Sequence, residues 1–380
     1  MERENITGVA KTLIVGGGIG GMAAAIALAE RGVAVDLIDL DPQWRVYGAG
    51  ITITGPTLRA YRRIGLLDQI KAQGAITNKT RLFRFDGTHL KDLDEPVIEE
   101  GLPATGGIMR PVLHKIMQGK VRELGIPVRL GLTVSALADS ADGVDVTFSD
   151  GTTARYDLVV GADSVFSALR DLAFPHMAPA QPTGQGCWRI SIRKPPTLDM
   201  GEFYLGHDNP CGITPCSPDS IYMWMLTPHE ERETFRTEAE LYDDLKALLA
   251  GFGGHAGWIR DSMTMDDWIN YRPLVAALQP RPWYNGRVVL LGDAVHATTP
   301  HLASGAGMAV ESGIVLAEEL AHAGPDVAAG LHAYQERRFP RCQDVIESSL
   351  ALGRLQLSHG SPGEHAHILE GALDRLNQPF

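Results

Sequence analysis

Apolar positions along this chain follow two styles. Residues 11–15 (KTLIV) form a continuous β-rich run stopped by glycine, the pattern of a short strand buried on both faces. Residues 21–31, rich in Ala and Leu and ended by Gly32, predict a helix, and residues 33–39 (VAVDLID) predict the next strand. Strand, glycine turn, helix and strand in that order make a βαβ unit, which calls for a parallel sheet. The same style returns at residues 157–161 (DLVVG) and 287–291 (RVVLL). Between these, residues 81–93 read as polar strand, 111–124 as helix and 127–132 as strand. Ser149-Asp150-Gly151, set between runs at 144–148 and 153–156, marks a hairpin.

The second style fills residues 179–269. Trp, Tyr, Met and Pro become frequent, and short strands (CWRISIR, GEFYLG, CGITP, IYMWML) alternate with turns, which predicts an antiparallel sheet. Residues 237–249 predict one amphipathic helix. The buried-strand style resumes afterwards, so this region reads as an insertion. The expected fold is α/β: a Rossmann-like domain with a parallel sheet at 1–178 and 271–325, interrupted by an antiparallel-sheet substrate domain at 179–270. Residues 81–101 are expected to lend strands to the inserted domain, and 326–380 to form a C-terminal helical segment broken at Gly353 and at 360–363.

Charge narrows the partners. Lys plus Arg total 34 against 46 Asp plus Glu, a formal net charge of −12, which argues against a nucleic-acid binder while allowing a local basic pocket for an anionic small molecule. Cys187, Cys211, Cys216 and Cys342 form no CxxC pair and no His cluster has metal-ligand spacing, so free thiols and no metal are expected. The polar N-terminus lacks a signal-peptide core, and no apolar run reaches the ~18 residues of a membrane span. A cytoplasmic protein without a membrane partner is the expectation.

Gly16, Gly18 and Gly21, with Gly20 inside the turn, fit GxGxxG. The first glycine permits a tight turn, the second lets backbone approach a pyrophosphate, and the third lets helix pack on strand. Asp39 ends the following strand and can accept a hydrogen bond from a ribose hydroxyl. The motif by itself does not separate FAD from NAD.

Two further motifs do. One is Gly161-Ala162-Asp163-Ser164 continuing to Arg170; the other is Gly292-Asp293-Ala294-Val295-His296, followed by Pro300 and Ser304-Gly305-Ala306-Gly307. With all three in this order, the chain resembles the class A flavoprotein monooxygenases, the family of 4-hydroxybenzoate, salicylate and 6-hydroxynicotinate hydroxylases. The resemblance implies FAD as cofactor and NADH or NADPH as a transient co-substrate. It implies that Asp293 holds the ribityl and pyrophosphate part of FAD, that Pro300 lines the ring, and that the turn at Gly305, Ala306 and Gly307 opens a helix (308–320) facing the pyrimidine edge. Asp163 resembles the acid that serves FAD and the nicotinamide, with Ser164 where the family has glycine. Ser304 and Gly307 replace commoner Gln and Asn. Arg45 and Gly50 belong to a stretch resembling the family's flexible flavin-contacting loop, Arg110 begins a segment (RPVL) similar to its FAD-contacting helix, and Val134 joins the same cofactor set.

The implied reaction is hydroxylation of a small aromatic or N-heteroaromatic substrate with O2, through a flavin C4a-hydroperoxide. His301, directly after Pro300, is the candidate base or relay; His296 reads as structural. Thr52, Tyr204, His207, Thr214, Tyr222 and Trp224 are candidates for the substrate wall, with His301. Arg189 and Arg193 share one strand face and offer a carboxylate site or a solvated edge. A flavin halogenase would carry WxWxIP, which is absent. A reductase without oxygen insertion and an FAD-binding redox regulator are the rival readings. A homodimer is compatible with everything above.

Overall fold

The computed structural model describes residues 8–46, 48–206, 209–229 and 236–380. Its central sheet has six strands in the order Tyr284–Asn285, Val288–Leu290, Leu158–Gly161, Lys11–Val15, Ala34–Asp39, Val128–Leu130. All neighbours run parallel except the first pair. Leu13, Ile14, Val159, Val160, Val289 and Leu290 are fully buried because helices cover the sheet. Helix Ile19–Ala29 packs against helix Gly305–Ala323 at backbone distance: a Cβ on Gly313 would lie 2.6 Å from the Ala24 nitrogen.

A seven-stranded sheet stands over this unit, in the order Trp268–Leu278, Gln181–Arg193, Ser220–Pro228, Cys211–Pro215, Gly201–Leu205, Lys79–Arg84, His89–Asp94. Gly201–Leu205 and Lys79–Arg84 pair in parallel and the other neighbours antiparallel. Alternation gives it two different faces. Ile190, Ile213, Met223 and Met225 face helices Glu238–Leu248 and Gly254–Ser262 and form a separate core. The intervening Arg189, Thr214, Tyr222 and Trp224 face the central unit.

Three features differ from the sequence expectation. Gly50–Thr54, expected within a flexible loop, is a strand paired with Thr105–Met109, which also pairs with Ala75–Thr77. Its Ile-Thr-Ile-Thr alternation suits a strand, with Ile53 fully buried. Gly353 does not break the tail; it lies inside the helix Val327–Leu357. Glycine serves close approach there, since a Cβ would come within 2.6 Å of Gln185 Oε1 and 3.2 Å of His301 Cε1. Tyr204 is turned to the helix side of its sheet, as described below. The last helix, Pro362–Asn377, begins at the Ser361 cap and lends Leu369 and Leu373 to the central cavity.

Candidate active site

Between the two units lies a cavity of about 700 Å³, within the range of a small-molecule site. One end is the first glycine turn. Gly16 sits at φ +107°, and a Cβ on Gly21 would be 1.9 Å from the Gly16 carbonyl oxygen, so neither position has room for a side chain. A Cβ on Gly18 would meet nothing within 4 Å, because that residue borders the cavity with Ile19 and Gly20. Gly18 is the N-cap of Ile19–Ala29 and no side chain caps this helix, which leaves first-turn N–H groups available at the cavity. The Asp39 carboxylate accepts from Gly17 N at 2.7 Å and Asp41 N at 2.8 Å. Trp44 Nε1 donates to the Gly17 carbonyl at 2.9 Å, and His114 Nε2 lies 3.2 Å from the same oxygen. Sequence reading missed both clamps, because nothing local ties positions 44 and 114 to residue 17.

The other end is built by the segment from Asp293 to Ala306. Asp293 follows Gly292, which has φ +64°. Its side chain opens to the cavity but is surrounded by protein otherwise; burial raises its carboxyl pKa and Arg110 opposes the rise. Among the described residues no donor reaches this carboxylate, so its oxygens are available. Ser304 is the N-cap of Gly305–Ala323, yet its hydroxyl is spent on the Leu302 carbonyl at 2.6 Å. This second helix therefore also presents uncapped N–H groups beside Gly305 and Ala306 on the cavity wall.

Other cofactor candidates are placed differently. Asp163 does not reach the cavity; its carboxylate takes the Ser167 hydroxyl and Leu169 N, fixing the start of helix Ala168–Ala173. Only Ala162 and Ser164 of that motif line the wall, and Ser164 stands at φ +77°, a conformation in which glycine is unstrained. Arg45 lies off the cavity in an exposed pair with Asp41. Val134 is buried in the core of a three-stranded sheet opposite Phe148. Gly50 and Gly307 stand behind the wall, where a Cβ would strike Cys216 Sγ at 2.3 Å and Thr57 Oγ1 at 2.3 Å. Arg110 does line the cavity.

On the opposite wall Thr52, Thr214, Tyr222 and Trp224 come together, with Thr52 Oγ1 3.0 Å from Thr214 Oγ1. Tyr204 does not join them. It is fully buried, and its hydroxyl donates to Glu202 at 2.7 Å while accepting from His255 N at 2.9 Å. Strand alternation sends it to the helix-covered face. His207 lies outside the described residues. Arg193 is exposed at the strand end, whereas Arg189 is drawn into the cavity.

His301 sits at the cavity wall between two partners. Nδ1 is 2.8 Å from Thr299 Oγ1, and Nε2 is 3.1 Å from Gln356 Oε1, which also accepts from Gln185 Nε2 at 3.0 Å. An amide oxygen taking both contacts assigns the ring proton to Nε2 and makes Nδ1 the acceptor of the Thr299 hydroxyl. Behind it lies a second cavity of about 300 Å³, sharing Thr299 and His301 and lined by Gln185 and Ser349. Burial lowers the His301 pKa from 6.5 to about 4. The imidazole is therefore neutral from about pH 5 to 8. The activity profile over that range is expected to show no inflection from this ring. An inflection near 6.5 that vanishes in His301→Gln would contradict this assignment. His296, bonded to Ser312 Oγ at 2.9 Å and lowered to about 3 by burial, is part of the core.

The FAD binding domain family matches residues 9–349. The Bacillus subtilis protein YetM is 32% identical over 361 residues, covering 94% of this chain and 96% of YetM. The chain belongs to this FAD-binding family. A 2-heptyl-3-hydroxy-4(1H)-quinolone synthase of Mycobacteroides abscessus is 31% identical over 374 residues, 95% of this chain and 94% of that enzyme. In fold, the structure resembles Klebsiella pneumoniae HpxO complexed with FAD and uric acid, with a TM-score of 0.81, 24% identity, and coverage of 97% of this chain and 93% of that one. The protein is thus a flavoprotein oxidoreductase of the monooxygenase family, with FAD as cofactor.

The donor set suits FAD. A dinucleotide needs N–H donors for phosphates, a carboxylate for sugar hydroxyls and a dipole for the ring's pyrimidine edge. This flavoprotein offers two helix starts without a side-chain cap, at Ile19 and Gly305, and at Asp293 a carboxylate that no donor reaches among the described residues, all on one cavity. Among the described residues, no helix is long and apolar enough to cross a membrane.

Proposed function

We propose that this flavoprotein hydroxylates a small aromatic or N-heteroaromatic compound of phenol, hydroxybenzoate or hydroxypyridine type, with NAD(P)H as reductant and O2 as oxidant. The observation that carries the proposal is the single cavity that joins both uncapped helix starts to a wall of Thr52, Thr214, Tyr222 and Trp224. Gly18, Ile19 and Gly20 would hold the pyrophosphate, Asp293 and Arg110 the sugar side, and Pro300, Gly305 and Ala306 the ring. Asp39 fixes the glycine turn and keeps lone pairs for a ribose hydroxyl. When bound, FAD supplies the two-electron transfer and the activation of oxygen.

The protein's own part is positioning, water exclusion and proton handling. Trp224 and Tyr222 give a flat apolar wall for an aromatic ring. Thr52 and Thr214, bonded to each other, can turn a hydroxyl toward a ring substituent. His301 is neutral with its proton on Nε2. It can accept a substrate proton at Nδ1 through the Thr299 hydroxyl, while Gln356 keeps its ring in place. Residues 1–178 with 271–325 would carry the cofactor, 179–270 with strands from 81–101 would cover the substrate, and 326–380 would brace His301 and the cavity mouth.

The experiment is direct. Purified protein is incubated with NAD(P)H and a panel of phenols, hydroxybenzoates and hydroxypyridines, following oxygen uptake and product mass. A matching substrate is expected to accelerate NAD(P)H oxidation and gain one oxygen atom. His301→Ala should lower hydroxylation by about 10²-fold or more, the scale of general acid–base catalysis, with flavin content nearly unchanged. Turnover without oxygen insertion would favour a reductase, and absence of stimulation by every compound a redox regulator.

A further inference from the structure

Trp224 is the largest side chain on the substrate wall, and its neighbour across the sheet is a glycine. Gly212 pairs with Trp224 on one side and with Phe203 on the other, in the middle strand of the seven. Glycine there gives up backbone entropy and packs nothing of its own, which marks the close approach of another group. That group is the indole. Gly212, Trp224 and Phe203 all line the cavity, and the Trp224 ring lies down over Gly212. A Cβ at 212 would come 2.5 Å from both Cε2 and Nε1 of the indole and 2.6 Å from Cζ2. Beyond Gly212 the indole meets the Phe203 ring, with centroids 5.7 Å apart and planes inclined by 55°.

Only packing keeps the indole down. Among the described residues its Nε1–H meets no acceptor, and the residue is half-buried. Two buried clusters pack against it, Cys187 with Leu226 and Leu274, and Ala49 with Cys216 and Tyr222. The Gly212 backbone lies beneath the ring. The open direction left to the ring is the cavity itself.

We propose that Gly212 sets the size of the aromatic ring system that the cavity accepts, by giving the Trp224 indole a seat on the sheet. This rests on the hydroxylase reading and adds to it a positioning residue that acts through Trp224. With glycine at 212 the indole lies flat and the wall is recessed. With any side chain there the ring must lift towards the cofactor side, and the space for substrate narrows.

The test uses the FAD-loaded protein with phenol and 2-naphthol, which share a hydroxyl and differ by one fused ring. Binding is read as the perturbation of the flavin visible spectrum, and oxygen uptake is followed separately. Gly212→Ala is expected to weaken 2-naphthol by about tenfold or more and phenol by less than about threefold, since apolar pockets discriminate on this scale between ligands that differ by small groups. Trp224→Leu removes the ring that the new methyl displaces. In that background Gly212→Ala should change neither compound by more than about twofold, because residues in contact act non-additively. No loss of 2-naphthol, an equal loss of phenol, a loss that persists without Trp224, or no response of the flavin to 2-naphthol in the unaltered protein would overturn the seat. If Gly212→Ala alone does not retain FAD, the double variant decides: recovery of FAD and of phenol binding supports the seat, and failure of both variants overturns it. Stimulated oxygen uptake with unchanged selectivity would sink the seat and leave the hydroxylase reading standing. The expected change in selectivity without stimulated oxygen uptake would do the reverse.

Discussion

Glu311→Ala is expected to destabilise the protein by about 3–5 kcal/mol, the cost of breaking a buried ion pair by removing one partner. Glu311 sits in helix Gly305–Ala323 and is 1% exposed. One oxygen accepts from Arg338 Nη1 at 2.8 Å and Arg341 Nε at 2.8 Å, and the other from Arg341 Nη2 at 2.9 Å. Arg338 is itself fully buried, and its Nε reaches Ser312 Oγ at 3.2 Å. Removing the carboxylate leaves the buried Arg338 guanidinium, and the partly buried Arg341 beside it, without an ion-pair partner among the described residues. The same helix begins at the cavity, so cofactor retention should fall with stability. Denaturant unfolding monitored alongside flavin fluorescence checks both, and a loss below about 1 kcal/mol, the scale of an exposed pair, would refute the argument.

The pH dependence of this group has a definite sign. Burial raises the Glu311 pKa, but Arg338 and Arg341 outweigh it, so the folded value lies below 4.5. A depressed carboxyl stabilises the fold above its unfolded pKa, and that contribution fades as pH falls through the folded value. The stability gap between the native protein and Glu311→Gln should thus be full at neutral pH and shrink only in acid below 4.5.

Gly21→Ala is expected to yield protein that has lost most of its yellow colour. The new methyl would lie 1.9 Å from the Gly16 carbonyl oxygen and 3.2 Å from Ile14 Cγ2, against backbone that cannot rotate away. Helix Ile19–Ala29 must lift off the strand, carrying with it the N–H groups at its start. Overpacking of this kind costs about 1–3 kcal/mol. If it falls wholly on FAD affinity, that is about 5- to 150-fold in Kd. The ratio of flavin to protein absorbance after gel filtration reports it. Gly18→Ala, whose Cβ meets nothing within 4 Å in the protein, separates the two functions of the turn. It should fold normally and weaken FAD only through crowding of the ligand.

Much of this was legible in the chain because it was written in local pattern. Residues 11–15 and 33–39 announced their strands through short β-rich apolar runs, and Lys11–Val15 and Ala34–Asp39 pair in parallel in the central sheet. Thr237 and Glu240 form a capping box at the start of the one amphipathic helix expected in the insertion. What stayed hidden depends on direction or distance. Tyr204 and Tyr222 look alike in sequence, but strand alternation buries one under helices and turns the other to the cavity. Arg189 and Arg193 differ only in where their shared strand ends. Asp163 matched a cofactor motif while its carboxylate fastens a helix start. Gln356, which fixes the tautomer of His301, comes from 55 residues further along the chain, and no local signal connects them.

The two sides of the cavity are made of different material. The side near Gly18 and Gly305 is largely main chain, and the first of its turns is held by Gly16 and Gly21, where a side chain has no room. The facing side is a row of exchangeable side chains at positions 189, 214, 222 and 224, on strands whose registry is secured by a separate core behind them. Under the proposed function, a change of substrate would need only that one row of side chains to be rewritten, with the cofactor cradle and the scaffold's cohesion left intact.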